Sequence, residues 1–306
     1  MAFVEFAAVH LQYETVRIAI AVLAVAIGSY FDIFNNRNIP NWLTYSMLAL
    51  AILINIPGFE MNAAIYTFGI AAIVFVLGYA FYVNGQIGGA DVLVLTSIAL
   101  LLPVQPTLLL LKGAPAPIIQ FPFILTVFIT AGILFILIMF LLSAPKALKA
   151  LGTGKIKFSL MQKLSAALLL VFFCVFAYLA NQVDIFPKSF ILILAAVLIP
   201  SIFFTLFKDF IEDEMTELIS VDKIEEEDVL LIRKLDPQLV KEHNLKKLLD
   251  AKEIERLKSL PIKKFPIFTR MPAFLPYVLM ALLINLLVGD LMLLLAASSM
   301  GVRAVA

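Results

Sequence analysis

Cysteine, histidine and charge are all scarce in this chain. Its 306 residues include one cysteine, two histidines and one tryptophan, and 15% are charged, against about 25% in an ordinary soluble domain. A single cysteine, Cys174, excludes an internal disulfide and a cysteine-based zinc site, and its place in an apolar run makes it a packing residue. His10 and His243 stand alone and offer no metal spacing, so neither a metal nor another cofactor is expected. A formal net charge of +1 gives no reason to expect nucleic acid.

What fills the chain instead is apolar. Hydrophobic residues make up 62% and come in long runs. A helix needs about 20 apolar residues to cross a bilayer, and lipid offers no partner for an open sheet edge. The expectation is an all-α, polytopic transmembrane bundle. Eight spans are predicted, at about 14–34, 42–58, 62–83, 91–111, 121–143, 160–180, 186–207 and 272–297. The first run ends in Asp32 and a polar loop without a small-residue cleavage pattern, so it reads as a retained helix.

One stretch, 208–270, differs in character and carries most of the charge. Leu235, Leu239, Leu245, Leu248, Leu249, Ile254 and Leu257 suit the buried faces of short helices. The predicted organisation is a membrane domain over 1–207, a small cytosolic domain over 208–270, and a last membrane helix within 271–306. Basic residues in short loops favour the cytoplasmic side. An outside N-terminus puts Arg37, Lys146, Lys149, Lys155, Lys157, Lys163 and the insert inside, leaving Arg17, Lys112, Lys188 and Arg303 outside.

Against this background three acids stand out: Asp32, Asp91 and Asp290. A carboxylate at a helix centre costs about 2.5–3.5 kcal/mol on insertion scales, so intramembrane acids are retained for function. With eight spans, Asp32 ends the first helix and Asp91 begins the fourth at the same depth. Two apposed carboxylates in a low dielectric hold one proton between them, which is the chemistry of an aspartic protease. The bland alternative is that each acid is a helix-end residue in water, and Asp91 suits a helix N-terminus. Gly88 and Gly89 precede Ala90 and Asp91, and glycine permits close backbone approach beside a reactive carboxylate. Arg37 can meet headgroups or orient a nearby carboxylate, and Pro40-Asn41 can start the next helix. Asp290 lies toward the outer side, where a structural role with Asn285 is expected and Gly289 allows close packing.

The segments around Asp32 and Asp91 resemble those of the archaeal prepilin-like and preflagellin peptidases, membrane aspartic proteases of the Gly-x-Gly-Asp type. That family carries Asp-x4-Arg-x-Ile-Pro-Asn, matched here by Asp32, Arg37, Ile39, Pro40 and Asn41, and a Gly-Ala-Asp variant matched by Gly89, Ala90 and Asp91. The motif-bearing likeness covers about residues 14–111. Arg270-Met271-Pro272 before the final span is a looser likeness.

The resemblance implies that Asp32 and Asp91 are catalytic and that Arg37, Pro40, Asn41, Gly88, Gly89 and Ala90 support them. It implies substrates too: pilin-like or flagellin precursors with a short basic leader before a hydrophobic helix, cut at the cytoplasmic membrane face. The acidic runs Glu212–Glu217 and Glu225–Asp228 could attract a basic leader electrostatically, but a charge run is usually a solvated helix face and they are read as that. Membrane lipid is the other expected partner, and the sequence leaves a homo-oligomer open. Two features depart from the family. Members often have six spans, so the segments at about 160–180 and 186–207 are extra; and the Cys-x-x-Cys loop of methylating bacterial relatives is missing, which predicts cleavage without methyl transfer. Presenilin-like relatives place Tyr directly before the first Asp, whereas this chain reads Tyr30-Phe31-Asp32. The rival readings are a proton- or cation-coupled transporter using the same acids, and a noncatalytic scaffold that would tolerate their loss.

Overall fold

The computed structural model describes residues 11–35, 37–57, 60–110, 122–154, 156–182, 188–269 and 271–289. Its helices are α1 (Glu14–Phe34), α2 (Asn41–Leu53), α3 (Met61–Val83), α4 (Gly89–Leu101), α5 (Phe123–Gly152), α6 (Leu160–Gln182), α7 (Lys188–Leu206), α8 (Lys208–Glu214), α9 (Pro237–Glu242), α10 (Ala251–Ser259) and α11 (Leu275–Val288). Two strands, β1 (Thr216–Ser220) and β2 (Lys264–Phe268), pair antiparallel.

The chain is a multi-pass, mostly helical membrane protein, but the count of eight spans is not borne out. Among the described residues, α1, α3, α5 and α6 are long and apolar enough to cross a membrane, and the end of α7 with α8 makes a fifth candidate bent by 74°. The helices α2, α4 and α11 are shorter apolar ones. At 13, 13 and 14 residues they reach only about 20 Å, well short of a bilayer's roughly 30 Å hydrocarbon core. The stops are local. Pro103 disfavours a helical conformation at Leu102, ending α4 ten residues before the predicted limit, and Pro57 follows the C-terminus of α2. Conversely α5 continues through Pro145 to Gly152, so Lys146 and Lys149 ride on a helix instead of a loop.

The core of the bundle gathers α1, α2, α4, α5 and α11 around residues such as Ala21, Val25, Met47, Ile98, Leu101, Val127, Val278 and Leu282. Its axis is α4, in which every residue from Val94 to Leu101 is buried. Such a helix is apolar all round because no face meets lipid or water. Thr96 and Ser97 satisfy their hydroxyls on the carbonyls of Val92 and Leu93, one turn back.

At one end of the bundle the buried Arg17 of α1 collects the ends of the short helices. It donates to the carbonyls of Leu100 (3.2 Å) and Leu101 (3.1 Å) in α4, to Ile54 O (3.2 Å) at the end of α2, and to Asn55 Oδ1 (2.9 Å) and Gln12 O (2.8 Å). A fixed cation there answers orphan carbonyls and the negative ends of two helix dipoles. Both helices therefore run antiparallel to α1. Asn285 of α11 is fully buried, accepts from Thr130 of α5 and donates to Ala281 O. Asp290, for which it was the expected partner, lies outside the described residues; Gly289 ends α11 at φ +81°, so its role is conformational.

The α6–α7 hairpin packs on α5 through α7, where Ala147, Phe203 and Phe207 form a second apolar cluster. The stretch after it has its own core of Ile224, Leu230, Leu245, Leu249, Ile254, Leu257, Leu260, Phe265 and Ile267. Of the residues expected to be inside, Leu245, Leu249, Ile254 and Leu257 are buried, while Leu235 and Leu239 pack at the margin and Leu248 is half-buried. Helices alone do not build this core. Phe265 and Ile267 reach it from β2, and Leu231 N–H donates to Pro266 O on the strand's other edge, so the expectation of an all-α chain fails here. Arg233 ties this region to α8 through Asp209, Glu212 and Asp213.

A tight turn, Glu225–Asp228, closes on itself, with Asp228 Oδ2 accepting from Glu225 N at 2.9 Å. Partial burial holds the Asp228 carboxyl above the usual carboxylate range, opposed by that backbone bond. A carboxyl raised in the folded state binds protons more tightly there than when unfolded, so stability falls as pH rises from the ordinary aspartate value through the raised one. Asp228→Asn keeps the acceptor and removes the titration. Thermal melts of the variant are expected to match or exceed wild type at neutral pH and to lose that acid-side slope; an unchanged slope would contradict the assignment.

Candidate active site

Opposite the Arg17 end, two buried carboxylates from different helices lie within electrostatic reach of each other. Asp32, in the last turn of α1, is buried and accepts at Oδ2 from the backbone N–H of Leu275 at 2.9 Å. That amide is the first of α11. Pro276 follows with no N–H, so the start of α11 has few donors, and a carboxylate suits its positive dipole end. Gly28 lies one turn before Asp32 on the same face. A Cβ there would fall 2.8 Å from Leu275 Cδ1, so the space glycine leaves is filled by the Leu275 side chain of α11.

Asp91 is the third residue of α4 and is also buried. Its Oδ2 accepts from Gly88 N at 3.1 Å, the reach of an acidic side chain back to its own helix start. Gly88 matters for space: a Cβ would lie 3.2 Å from that same oxygen. Gly78 of α3 does a related job, because a Cβ there would come within 2.9 Å of Val92 Cγ1 and push α4 away.

The two carboxylates interact electrostatically, as do Asp32 and Arg37. Arg37 is half-buried at φ +65° in the loop between α1 and α2. The loop is short and folded on itself, with Asn35 Nδ2 donating to Asn38 O at 2.6 Å. Ile39 is buried, Pro40 is the N-cap of α2 and Asn41 its first residue. Ala90 packs against the main core and Gly89 sits under the Tyr82 ring, 3.3 Å from its Cε2 to an added Cβ.

Every residue singled out around the two motifs thus lies at one end of the bundle. Arg270, from the looser likeness, is outside the described residues. Sequence reasoning missed Gly28, the Phe274–Leu275 helix start, Tyr82 and Glu227. Only Gly28 left a trace, four residues before Asp32 and hence on its helix face. Among the described residues no group of three or more His, Cys, Asp or Glu could hold a metal ion. Chemically, two buried acids that each have a fixed backbone donor and sense one another's charge can divide acid and base roles.

Residues 18–143 match the Type IV leader peptidase family. The chain is also 35% identical over 129 residues to prepilin peptidase EppA of Methanothermobacter thermautotrophicus, a match covering 39% of this chain and 32% of that protein. It therefore spans about a third of the length of the curated relative it matches. No solved structure matches it. Over the part of the chain that holds Asp32 and Asp91, then, the protein is prepilin peptidase-like.

Proposed function

We propose that this protein is an aspartic endopeptidase that removes short basic leaders from pilin-like or flagellin precursors at the cytoplasmic membrane face, with Asp32 and Asp91 as its catalytic pair. The observation that carries the reading is the convergence of two buried carboxylates from separate helices at one end of the bundle. The ionised member takes a proton from water as it attacks the scissile carbonyl, and the protonated member donates to the carbonyl oxygen. The proton count is unchanged over a turnover, so the pair resets without a cofactor.

Arg37 steadies Asp32, while the missing side chain of Gly88 leaves space for the Asp91 carboxylate. Lysines at the end of α5 and the start of α6 support a cytoplasmic placement of this end. A precursor that keeps its hydrophobic helix in lipid would present its leader at that boundary.

The test is a cleavage assay in membranes carrying the full chain, with an archaeal pilin or flagellin precursor and mass-spectrometric mapping of the new N-terminus. The reading requires a cut directly before the hydrophobic segment. Intact precursor after prolonged incubation with the folded wild-type chain would refute it in favour of a transporter or scaffold.

A further inference from the structure

Among the described residues, the insert comes up against the end of α3 and the start of α4, beside the candidate active site. Tyr82, in the last turn of α3, donates its hydroxyl to Glu227 Oε1 at 3.0 Å, joining residues from opposite halves of the chain. The same carboxylate oxygen lies 3.5 Å from a Cβ placed on Gly89, two residues before Asp91. A second touch is apolar: a Cβ on Gly85, at φ +64°, would sit 3.3 Å from Val229 Cγ1. Between these contacts runs the loop that supplies Gly88, whose amide holds Asp91.

Glu227 is itself firmly held. Its backbone is left-handed, φ +71°, a conformation a residue with a side chain rarely adopts. Its N–H donates to Leu249 O at 2.9 Å, and Leu249 N–H returns a bond to Asp228 O at 2.9 Å, so the turn is pinned to the insert's own core. The loop opposite is tied at its start to the end of α3, by Gly85 N–H to Tyr82 O (2.7 Å), Gln86 N–H to Phe81 O (3.0 Å) and Asn84 Nδ2 to Ala80 O (2.7 Å), so whatever fixes that helix end fixes the loop. Gly85, Gly88 and Gly89 carry no side chains, and a glycine-rich segment loses more entropy than others on being fixed.

We infer that Glu227 is a positioning residue for Asp91: through the Tyr82 hydroxyl it latches the insert onto the end of α3, from which the 84–88 loop departs, and so fixes the Gly88 amide on which Asp91 rests. This rests on the peptidase reading given above. The soluble insert is then a working part of the site and not an appendage. Its effect should fall on the chemical step, since a displaced carboxylate misaligns proton transfer without removing a substrate contact.

The experiment uses the full-length protein in membranes and compares Glu227→Ala, Glu227→Gln, Tyr82→Phe and Glu226→Gln. Initial rates give kcat and KM for a precursor, and hydrogen exchange of peptides covering 84–91 is followed on the enzyme without substrate. Glu227→Ala and Tyr82→Phe are expected to lower kcat about tenfold, the worth of one hydrogen bond to a charged group, with KM within about twofold. Both should speed exchange in 84–91. Glu227→Gln retains an acceptor oxygen for Tyr82 and should restore rate and protection, while Glu226→Gln, which removes a neighbouring charge only, should match wild type.

Two results overturn the inference. A Gln variant as impaired as the Ala variant, with KM raised and the defect erased by salt, would make Glu227 a charge that attracts the leader. Unchanged exchange in Glu227→Ala and Tyr82→Phe would show that nothing is latched. Exchange is read without cleavage, so loss of the latch and loss of the peptidase reading are distinguished: a wild-type chain that cleaves nothing removes the catalytic role, whatever the loop does.

Discussion

Asp32→Asn and Asp91→Asn are each expected to lower precursor processing about a thousandfold, with the protein still inserted and folded. General acid–base groups contribute about 10²–10⁴ in rate, and in the proposed mechanism both roles fall to the same pair, so either loss would disable the whole step. Asparagine is the informative replacement because it separates chemistry from structure. Its amide oxygen can still accept from Leu275 N–H at position 32 and from Gly88 N–H at position 91, the bonds that the carboxylates make to helix starts. What it cannot do is give up or take on a proton near neutral pH. Alanine at either site removes the acceptor as well and should cost stability, about 1 kcal/mol for a lost helix cap. Quantitative mass spectrometry of precursor and product against membrane-inserted enzyme gives the comparison. Wild-type processing by either Asn variant would end the case for the pair.

The second large effect concerns folding, at the other end of α1. Arg17→Met is expected to destabilise the protein by about 3 kcal/mol, since several carbonyl and amide oxygens lose a charged hydrogen-bond donor at once. Methionine fills similar volume but leaves the carbonyls of Leu100, Leu101 and Ile54, and Asn55 Oδ1, without their donor in a setting where water does not replace it. Lysine should recover only part of the loss, since a point charge with three donors cannot reach the spread of acceptors a guanidinium fork serves. Arg17 and Asp32 are separated by 15 residues of one helix, about 22 Å, so cleavage per folded molecule should change little. Thermal unfolding in lipid nanodiscs, with activity normalised to the folded fraction, tests both halves. A melting midpoint equal to wild type would show that the cluster is not stabilising.

How legible was this molecule? The acids were found because a carboxylate in an apolar run is expensive, a property of each segment by itself. The long helices were equally visible, since hydropathy is summed along one stretch of chain. Two short helices, α2 and α4, were drawn too long for the same reason, while the predicted end of the last span at about 297 lies outside the described residues. Apolar residues continue past Leu101 and past Leu53, and hydropathy weighs neither the backbone restriction at Pro103 and Pro57 nor the Arg17 bonds that close both ends. In the insert, leucine spacing located much of the core but not the strand pair, because β1 and β2 satisfy each other across more than forty residues of intervening chain.

By itself, then, the sequence determined a polytopic helical protein, two acidic residues in peptidase-like motifs, and a charged segment with a core of its own. Tertiary structure decided that Asp32 and Asp91 share one end of the bundle, that the start of α11 is held by Asp32, and that Glu227 takes the Tyr82 hydroxyl at the end of α3. The division has a physical cause. Transfer cost and local backbone restriction act on a residue wherever it goes, whereas a hydrogen bond between positions 32 and 275 or 82 and 227 exists only once the intervening helices have packed.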